Sequence, residues 1–328
     1  MHVLVIGGAG YIGSIVTAQL LAAGHRATVL DDLSTGHRDA VPPGAGFVRA
    51  SVTEADATLA DGSVDAVIHF AAKSLVAESV RRPQLYWANN VAGSLALLES
   101  MRRAGVRRIV FSSTAATYGE PDAAPIAESA PTRPTNPYGA SKLAVDHMLA
   151  SYAAAHGFAA VSLRYFNVAG ALISDGLRLG ERHDTETHLI PIALQVASGQ
   201  RERLSIHGVD YATPDGTCVR DYIHVLDLAD AHVRALDRVL DRVSGSSGPD
   251  AGEHLICNLG SGSGSSVREV VETVRRVTGK PTPAAEAPRR PGDPAVLIAS
   301  NELAAAELGW APTRDLEQMV ADAWRFVS

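Results

Sequence analysis

Short apolar runs alternate with amphipathic stretches along the first half of the chain. The runs His2–Ile6, Ala27–Leu30, Gly46–Arg49, Val64–Phe70, Arg107–Ser112 and Ala160–Arg164 are mostly near-continuous in Val, Ile and Ala. Strands covered on both faces read this way. Between them, Tyr11–Ala23, roughly Gln84–Arg103, and Tyr138–His156 carry helical patterns. Strand–helix alternation of this kind predicts an α/β fold, a doubly wound parallel sheet with helices on both faces. Past Gly170 the alternation lapses into loops rich in Gly, Pro and Asp, with shorter helices. The stretch Ser244–Gly252 reads as a surface loop or insertion, since a strand-like run, Leu255–Leu259, follows it. The expected organisation is a nucleotide-binding domain over residues 1–170 and a smaller mixed α/β substrate-binding region over 171–328.

Composition narrows the function without choosing it. With 328 residues, 46% of them hydrophobic and 20% charged, the chain has material for a proper core. A net charge of −7 and no Lys- or Arg-rich tract argue against nucleic-acid binding, which needs a concentrated basic face. Two cysteines, Cys218 and Cys257, are too few for a disulfide framework. No apolar run approaches the ~18 residues that would span a membrane. The apolar start from Val3 to Ile6 runs straight into glycines, as a buried first strand does, so a cytoplasmic protein is expected.

Two motifs carry chemistry. Gly7-Gly-Ala-Gly10-Tyr-Ile-Gly13 leads from a strand into a helix, and Gly8, Gly10 and Gly13 also satisfy G-x-G-x-x-G. Glycines tighten the turn and let the backbone approach a pyrophosphate, for which the helix N-terminus offers free N–H groups. Asp31 closes the second strand, 18 residues after Gly13. A carboxylate there accepts ribose hydroxyls and repels the 2′-phosphate of NADP, so Asp31 and its neighbour Asp32 point to NAD on a Rossmann-type sheet. The second motif is Tyr138-Gly-Ala-Ser-Lys142, two side chains one helical turn apart. A neighbouring ammonium stabilises phenolate and can bring tyrosine into the range of a general base. Ser112-Ser113-Thr114 ends a strand, where active sites of such sheets lie, and Thr114 is the candidate hydroxyl partner of Tyr138.

The chain resembles the extended short-chain dehydrogenase/reductase family, and within it the UDP-hexose 4-epimerases. The likeness runs nearly end to end, through GGAGYIG, VIHFAA at 67–72, YWANNVAGS at 86–94, FSSTAATYG at 111–119, NPYGASK at 136–142 and LRYFNVAG at 163–170. It continues through GTCVRDYIHVLDLA at 216–229, the most selective run, and APRRPGDP at 287–294. The resemblance implies interconversion of UDP-galactose and UDP-glucose through a transient 4-keto sugar, with NAD tightly bound. Tyr138 would take the O4 proton, Lys142 would tune it and hold the nicotinamide ribose, and Thr114 would hydrogen-bond near O4. Gly7, Gly10, Tyr11, Ile12, Gly13, Asp31, Asp32, Leu33, Ser34, Thr35 and Gly36 would line the NAD site. So would Ser51, Val52, Phe70, Ala71, Ala72, Lys73, Asn89 and Phe166, together with Tyr138 and Lys142. Asn167, His188, Leu189, Ser205, His207, Arg220, Arg290, Asp293 and Leu297 would contact the UDP-sugar, beside Thr114 and Tyr138. A homodimer through a four-helix bundle, built from Gln84–Arg103 and Tyr138–His156, is implied as well.

Some positions depart from the family pattern. Ser51-Val52 stands where many relatives carry Asp-Ile or Asp-Val near the adenine, and Lys73 is displaced by one position. His188-Leu189 and His207 replace an Asn-Leu pair and an aromatic near uracil. Leu297 stands where a tyrosine narrows the sugar pocket in some relatives, which leaves room for an N-acetylated hexose. UDP-glucuronate or UDP-xylose remain open as sugars, and a catalytically silent NAD-binding regulator is the alternative from another class. Dehydratases of the family place Asp-Glu after the active-site threonine, whereas this chain has Ala115-Ala116. His183, Asp184, Glu186 and His188 crowd one segment without zinc-site spacing, so they read as a solvated loop or substrate lid and no metal is expected. Arg102, Arg103, Arg107 and Arg108 read as solvated residues near a helix end. His69 reads as a core or cofactor-adjacent residue.

Overall fold

The structure, a computed structural model, describes residues 1–174, 176–245, 252–290 and 292–328. Its centre is a seven-stranded parallel sheet. The strands are β1 (His2–Ile6), β2 (Arg26–Asp31), β3 (Gly46–Arg49), β4 (Ala66–His69), β5 (Arg108–Thr114), β6 (Ala159–Tyr165) and β7 (Glu253–Leu259). Their order across the sheet is β7-β6-β5-β4-β1-β2-β3, so the direction of winding reverses at β1 and β4. Ligands of open α/β sheets bind in the crevice that such a reversal opens at the carboxyl ends of the strands.

Alternation along each strand divides the core in two. Val3, Val5 and Val110 face one side, with Ile15, Val16 and Leu20 of helix Tyr11–Ala22 and Leu228, Leu236 and Val239 of helix Val225–Gly245. Leu4, Ile6, Ile109 and Phe111 face the other, against Leu97 and Met101 of helix Gly93–Ala104 and Val145 and Leu149 of helix Pro137–His156. The near-continuous apolar reading of the strands has this cause, because both faces are covered.

Three differences from the sequence reading stand out. Only shorter helices were expected after Gly170, yet Val225–Gly245, at 21 residues, is the longest helix among the described residues. Its core face carries Val225, Leu228, Leu236 and Val239 beside Ala231, Ala235 and His232, an amphipathic pattern that the sequence reading passed over. The stretch expected as one helix over Gln84–Arg103 starts at Pro83, passes through a wide π-helical turn at Trp87–Ala92, and resumes as Gly93–Ala104. Strand β7, beyond the boundary expected at residue 170, pairs with β6 along its whole length, from Glu253 opposite Ala159 to Leu259 opposite Tyr165. The loop expected at Ser244–Gly252 falls mainly on 246–251, outside the described residues.

Beyond β6 the chain builds a second cluster from Ile190, Leu194, Val270, Val274, Met319 and Val320. A small mixed sheet links it to the first. Strand Val219–His224 pairs with Asn167–Ala169, and through Arg220 with Leu297. Among the described residues no helix is long and apolar enough to cross a membrane.

Candidate active site

The glycine turn is built for close approach. Gly7 has φ of +80°, and a Cβ there would lie 2.6 Å from Ala71 N. A Cβ on Gly13 would lie 2.4 Å from Gly7 O. Any side chain would therefore push the first strand, the turn and the helix apart, and the cradle for a pyrophosphate would be lost. Asp31 sits at the carboxyl end of β2, where its Oδ2 accepts Ala9 N at 3.0 Å and its Oδ1 accepts Leu33 N at 2.8 Å. Burial raises its carboxyl above the usual value, partly offset by those two amides. Gly36 lies against the same carboxylate, since a Cβ there would meet Asp31 Oδ1 at 2.8 Å. Asp32, Ser34 and Thr35 are exposed beside it, with Asp32 Oδ1 accepting Ser34 N at 2.8 Å. The open glycine face, the buried carboxylate and the helix N-terminus after Gly10 together fit an adenine dinucleotide without a 2′-phosphate.

Ser51 and Val52 are occupied by the fold itself. Ser51 caps a short 3₁₀ turn reciprocally with Glu54, and Val52 is buried against the Leu4 side of the core. Tyr11 donates its hydroxyl to Gly170 O at 2.6 Å, tying the turn to the start of the second region. The Phe70 ring packs 4.9 Å from that of His232. Asn89 is half-buried; its neighbour Asn90, which sequence reasoning missed, is 2% exposed. Asn90 holds both backbone groups of Lys73, accepting N–H at 2.8 Å and donating to O at 3.0 Å, and reaches Ser141 Oγ at 3.0 Å. The wide turn at Trp87–Ala92 aims it inward, a register that regular helical spacing does not reveal.

The reactive trio converges at the ends of β5 and a capped helix. Asn136 accepts Gly139 N at 2.9 Å, and Pro137 opens the helix, so Tyr138 lies in its first turn and Lys142 one turn on. A Cβ on Gly139 would sit 2.4 Å from Ala116 O, so this helix start abuts the turn that follows Thr114. Burial raises the Tyr138 phenol, and a hydrogen bond with Thr114 draws it back. Lys142, 2% exposed, donates from Nζ to Ser112 O at 2.6 Å and lies 4.7 Å over the Phe111 ring. Burial brings this ammonium down to about 7, with Asp146 opposing. Its charge is felt at His69, which burial above all holds near about 3 and which bonds Ser94 Oγ at 2.9 Å. The ammonium thus faces the carbonyl at the end of the strand, and its charge is felt at His69.

Beneath the trio, Asp146 and Arg164 form an ion pair at 2.8 Å, with side chains 2% and 4% exposed. Arg164 also donates to Tyr118 Oη at 3.1 Å, and Ser113 donates to Asp146 at 3.2 Å. Sequence reasoning missed this network as well, because its members come from β5, the turn after it, helix Pro137–His156 and β6.

Residues expected at the UDP-sugar divide into two groups. Leu297, together with Phe166 from the expected NAD site, packs on Ala115, Tyr118 and Ile126, directly against the turn after Thr114. Arg220 is the register partner of Leu297, and its guanidinium pairs with Asp293. Asn167 is exposed at the next strand. Arg290 is exposed and, with Asp293, Tyr211, Arg289 and Glu120, lines an open cavity of about 600 Å³. Arg289 lies 4.1 Å over the Tyr211 ring there. Ser205 is exposed and His207 half-buried on strand Leu204–His207, with His207 Nδ1 3.3 Å from Pro288 O. His188 and Leu189 open helix Leu189–Ala197 elsewhere. The His188 ring is turned to Glu181 and Glu186, at 2.6 and 3.1 Å, and these carboxylates, against burial, push it up to about 10. They also raise His183, to about 9.

Comparison with known proteins agrees with this geometry. Residues 3–247 match the NAD dependent epimerase/dehydratase family. The UDP-glucose 4-epimerase of Streptomyces lividans is 60% identical, over 99% of this chain and 95% of that protein. The UDP-glucose 4-epimerase of Corynebacterium glutamicum is 55% identical, over 100% and 96%. The crystal structure of UDP-glucose 4-epimerase from Brucella ovis in complex with NAD superposes with a TM-score of 0.91 at 46% identity, covering 99% of this chain and 97% of that one. The glycine turn, the trio at the carboxyl edge and these likenesses converge: the chain belongs to the NAD dependent epimerase/dehydratase family.

Proposed function

We propose that the protein interconverts UDP-galactose and UDP-glucose by removing hydrogen from C4 and returning it to the opposite face. The observation that carries this reading is Tyr138, half-buried with its phenol drawn down by Thr114, one turn before a buried lysine at the carboxyl edge of the sheet. Bound NAD supplies the acceptor and donor of hydride. Tyr138, as phenolate, takes the O4 proton and later returns it, and Thr114 bridges phenol and sugar hydroxyl. Lys142 holds a cation beside that site and can turn from Ser112 O to a ribose. Asp31 accepts ribose hydroxyls at the adenosine end. Arg290, an exposed guanidinium fork, suits the diphosphate, and Arg220 with Asp293 the uridine ribose. Ala115 and Ala116 carry only methyl groups, so no acid is at hand there to expel a C6 hydroxyl.

Purified protein given UDP-galactose and no added NAD tests the reading. UDP-glucose should accumulate, because no net redox change consumes the cofactor. A chain that produces none while retaining NAD is a silent regulator instead. A second reading is favoured by Leu297, half-buried against Phe166 and the turn after Thr114. A leucine there admits an N-acetylated sugar, and failure to turn over UDP-GlcNAc while UDP-galactose is consumed would sink it.

In this reading residues 1–170 carry the dinucleotide side and 171–328 most of the UDP-sugar contacts, in a cytoplasmic enzyme. Exposed Val76, Val80, Trp87 and Leu95 lie along the helical stretch after β4, and support pairing of two copies there through a four-helix bundle.

A further inference from the structure

Between strand Leu177–Gly180 and helix Leu189–Ala197, four side chains turn inward on one another: Glu181, His183, Glu186 and His188. One ligand atom from each lies within 4.8 Å of all the others. His188 Nδ1 is 2.6 Å from Glu181 Oε1 and 3.1 Å from Glu186 Oε1. His183 Nδ1 is 3.2 Å from Glu181 Oε1 and 3.5 Å from Glu186 Oε2. Each imidazole nitrogen therefore faces both carboxylates. An Nδ1 carries at most one hydrogen, so hydrogen bonding alone serves one carboxylate at a time. A metal cation at the centre, displacing the two imidazole protons to solvent, serves both at once. Zinc bonds of about 2.0–2.1 Å to nitrogen and 2.0–2.2 Å to oxygen put neighbouring ligands of a tetrahedron about 3.3–3.5 Å apart. The two separations of His183 Nδ1, 3.2 and 3.5 Å, come close to that edge length, whereas His188 Nδ1, 2.6 Å from Glu181, must draw back as an ion enters.

The surroundings are those of a built site. The Glu181 and Glu186 side chains are 9% and 5% exposed, so their two charges are withdrawn from water. Glu186 Oε1 accepts the backbone N–H groups of Thr187 and His188, each at 2.7 Å, which fixes the carboxylate and leaves Oε2 for a ligand. The cluster opens on a cavity of about 300 Å³, which gives an ion a way in. We propose that Glu181, His183, Glu186 and His188 bind one divalent transition-metal ion, Zn²⁺ by donor set and geometry, distinct from the catalytic trio. Two imidazoles and two carboxylates select Zn²⁺ over Mg²⁺ and Ca²⁺, which prefer all-oxygen shells of higher coordination. The two carboxylates balance its charge.

A metal here closes the segment 181–188 into a ring and fixes what that segment touches. Arg182 pairs with Asp39 at 2.8 Å, and Arg182 O lies 3.2 Å from His37 Nε2. The segment is thereby tied to the loop that follows Asp31. The ion stiffens the segment that carries this link and takes no part in hydride transfer.

The test uses untagged full-length protein stripped with a chelator and then freed of it. Calorimetric titration with Zn²⁺ should give one equivalent per chain and a higher thermal midpoint, with no such response to Mg²⁺. Glu181→Gln and His183→Gln should each weaken Zn²⁺ binding at least about 100-fold, with the far-ultraviolet dichroism of the parent. Co²⁺ should produce the intense visible bands of a tetrahedral complex. Substoichiometric Zn²⁺ binding, parent-like affinity in both variants, or only the weak bands of octahedral Co²⁺ would each overturn the site. Should a variant fail to fold, the Co²⁺ spectrum of the parent protein decides.

Discussion

The carboxyl edge of the central sheet and the region beyond residue 170 place their functional groups by different means. At the sheet edge each group sits where a local element ends: Asp31 closes β2, Thr114 closes β5, and Tyr138 lies in the first turn of a capped helix. Beyond Gly170, groups meet through pairing at long range, as when Arg220 lies in register with Leu297 or Asn167 beside Tyr222. The difference teaches that the reaction chemistry is written in short stretches of chain, whereas sugar and nucleotide selectivity is a property of the assembled fold.

If that contrast holds, losses at the edge should appear in turnover and losses beyond it in binding. Tyr138→Phe should lower kcat about 10³- to 10⁴-fold, with a thermal midpoint close to that of the parent; turnover within tenfold of the parent would break the contrast outright. Asp146→Ala strands Arg164 in the interior beneath the trio. It should cost about 3–5 kcal/mol of stability, read from the denaturant midpoint, and a neutral result would mean the edge is not held by this pair. Arg290→Ala should raise KM for the UDP-sugar about 10- to 100-fold with kcat nearly unchanged; a fall in kcat alone would move Arg290 into the chemistry.

The smallest effect is one of pH. Burial holds His69 and His232 neutral, at about 3 and about 4, against about 6.5 in the unfolded chain. The unfolded state binds more protons in the window between, so this stabilisation is present above about pH 6.5 and lost as pH falls through it. His183 and His188, raised to about 9 and about 10, oppose this in part, so the thermal midpoint should drop only modestly between about pH 7 and about pH 5, and less steeply still in His232→Phe. Equal slopes in the two proteins would remove His232 from the account.

Much of the first region was legible because its rules are local. An apolar strand, a glycine turn and an aspartate at the next strand end need no partner to be recognised. The Asn136 cap and Pro137 likewise announce the helix that carries Tyr138. The Asp146–Arg164 pair and Asn90 were not legible, since their meaning depends on elements far apart in sequence. Helix Val225–Gly245 was also missed, although Leu228, Leu236 and Val239 mark its inner face at helical spacing, beside the alanines that let helix Tyr11–Ala22 lie close. His183, Glu186 and His188 were visible as residues, but Asp184 was counted with them and Glu181 was missed. Their spacing matches no zinc pattern, and only the turn into helix Leu189–Ala197 shows all four facing inward.

The late return of the chain to its sheet has a consequence for synthesis. β6 is flanked by β5 on one side and by β7 on the other, and β7 comes after the helix that covers one face of the same sheet. A nascent chain that has emerged only through Gly170 displays β6 as a bare edge and leaves Val3, Val5 and Val110 without that helix. Open edges and uncovered apolar faces are what chaperones bind and what neighbouring chains aggregate upon. The ribosome must deliver Leu259 before the first domain can close, so the sheet that begins at residue 2 is finished only when most of the protein has been made.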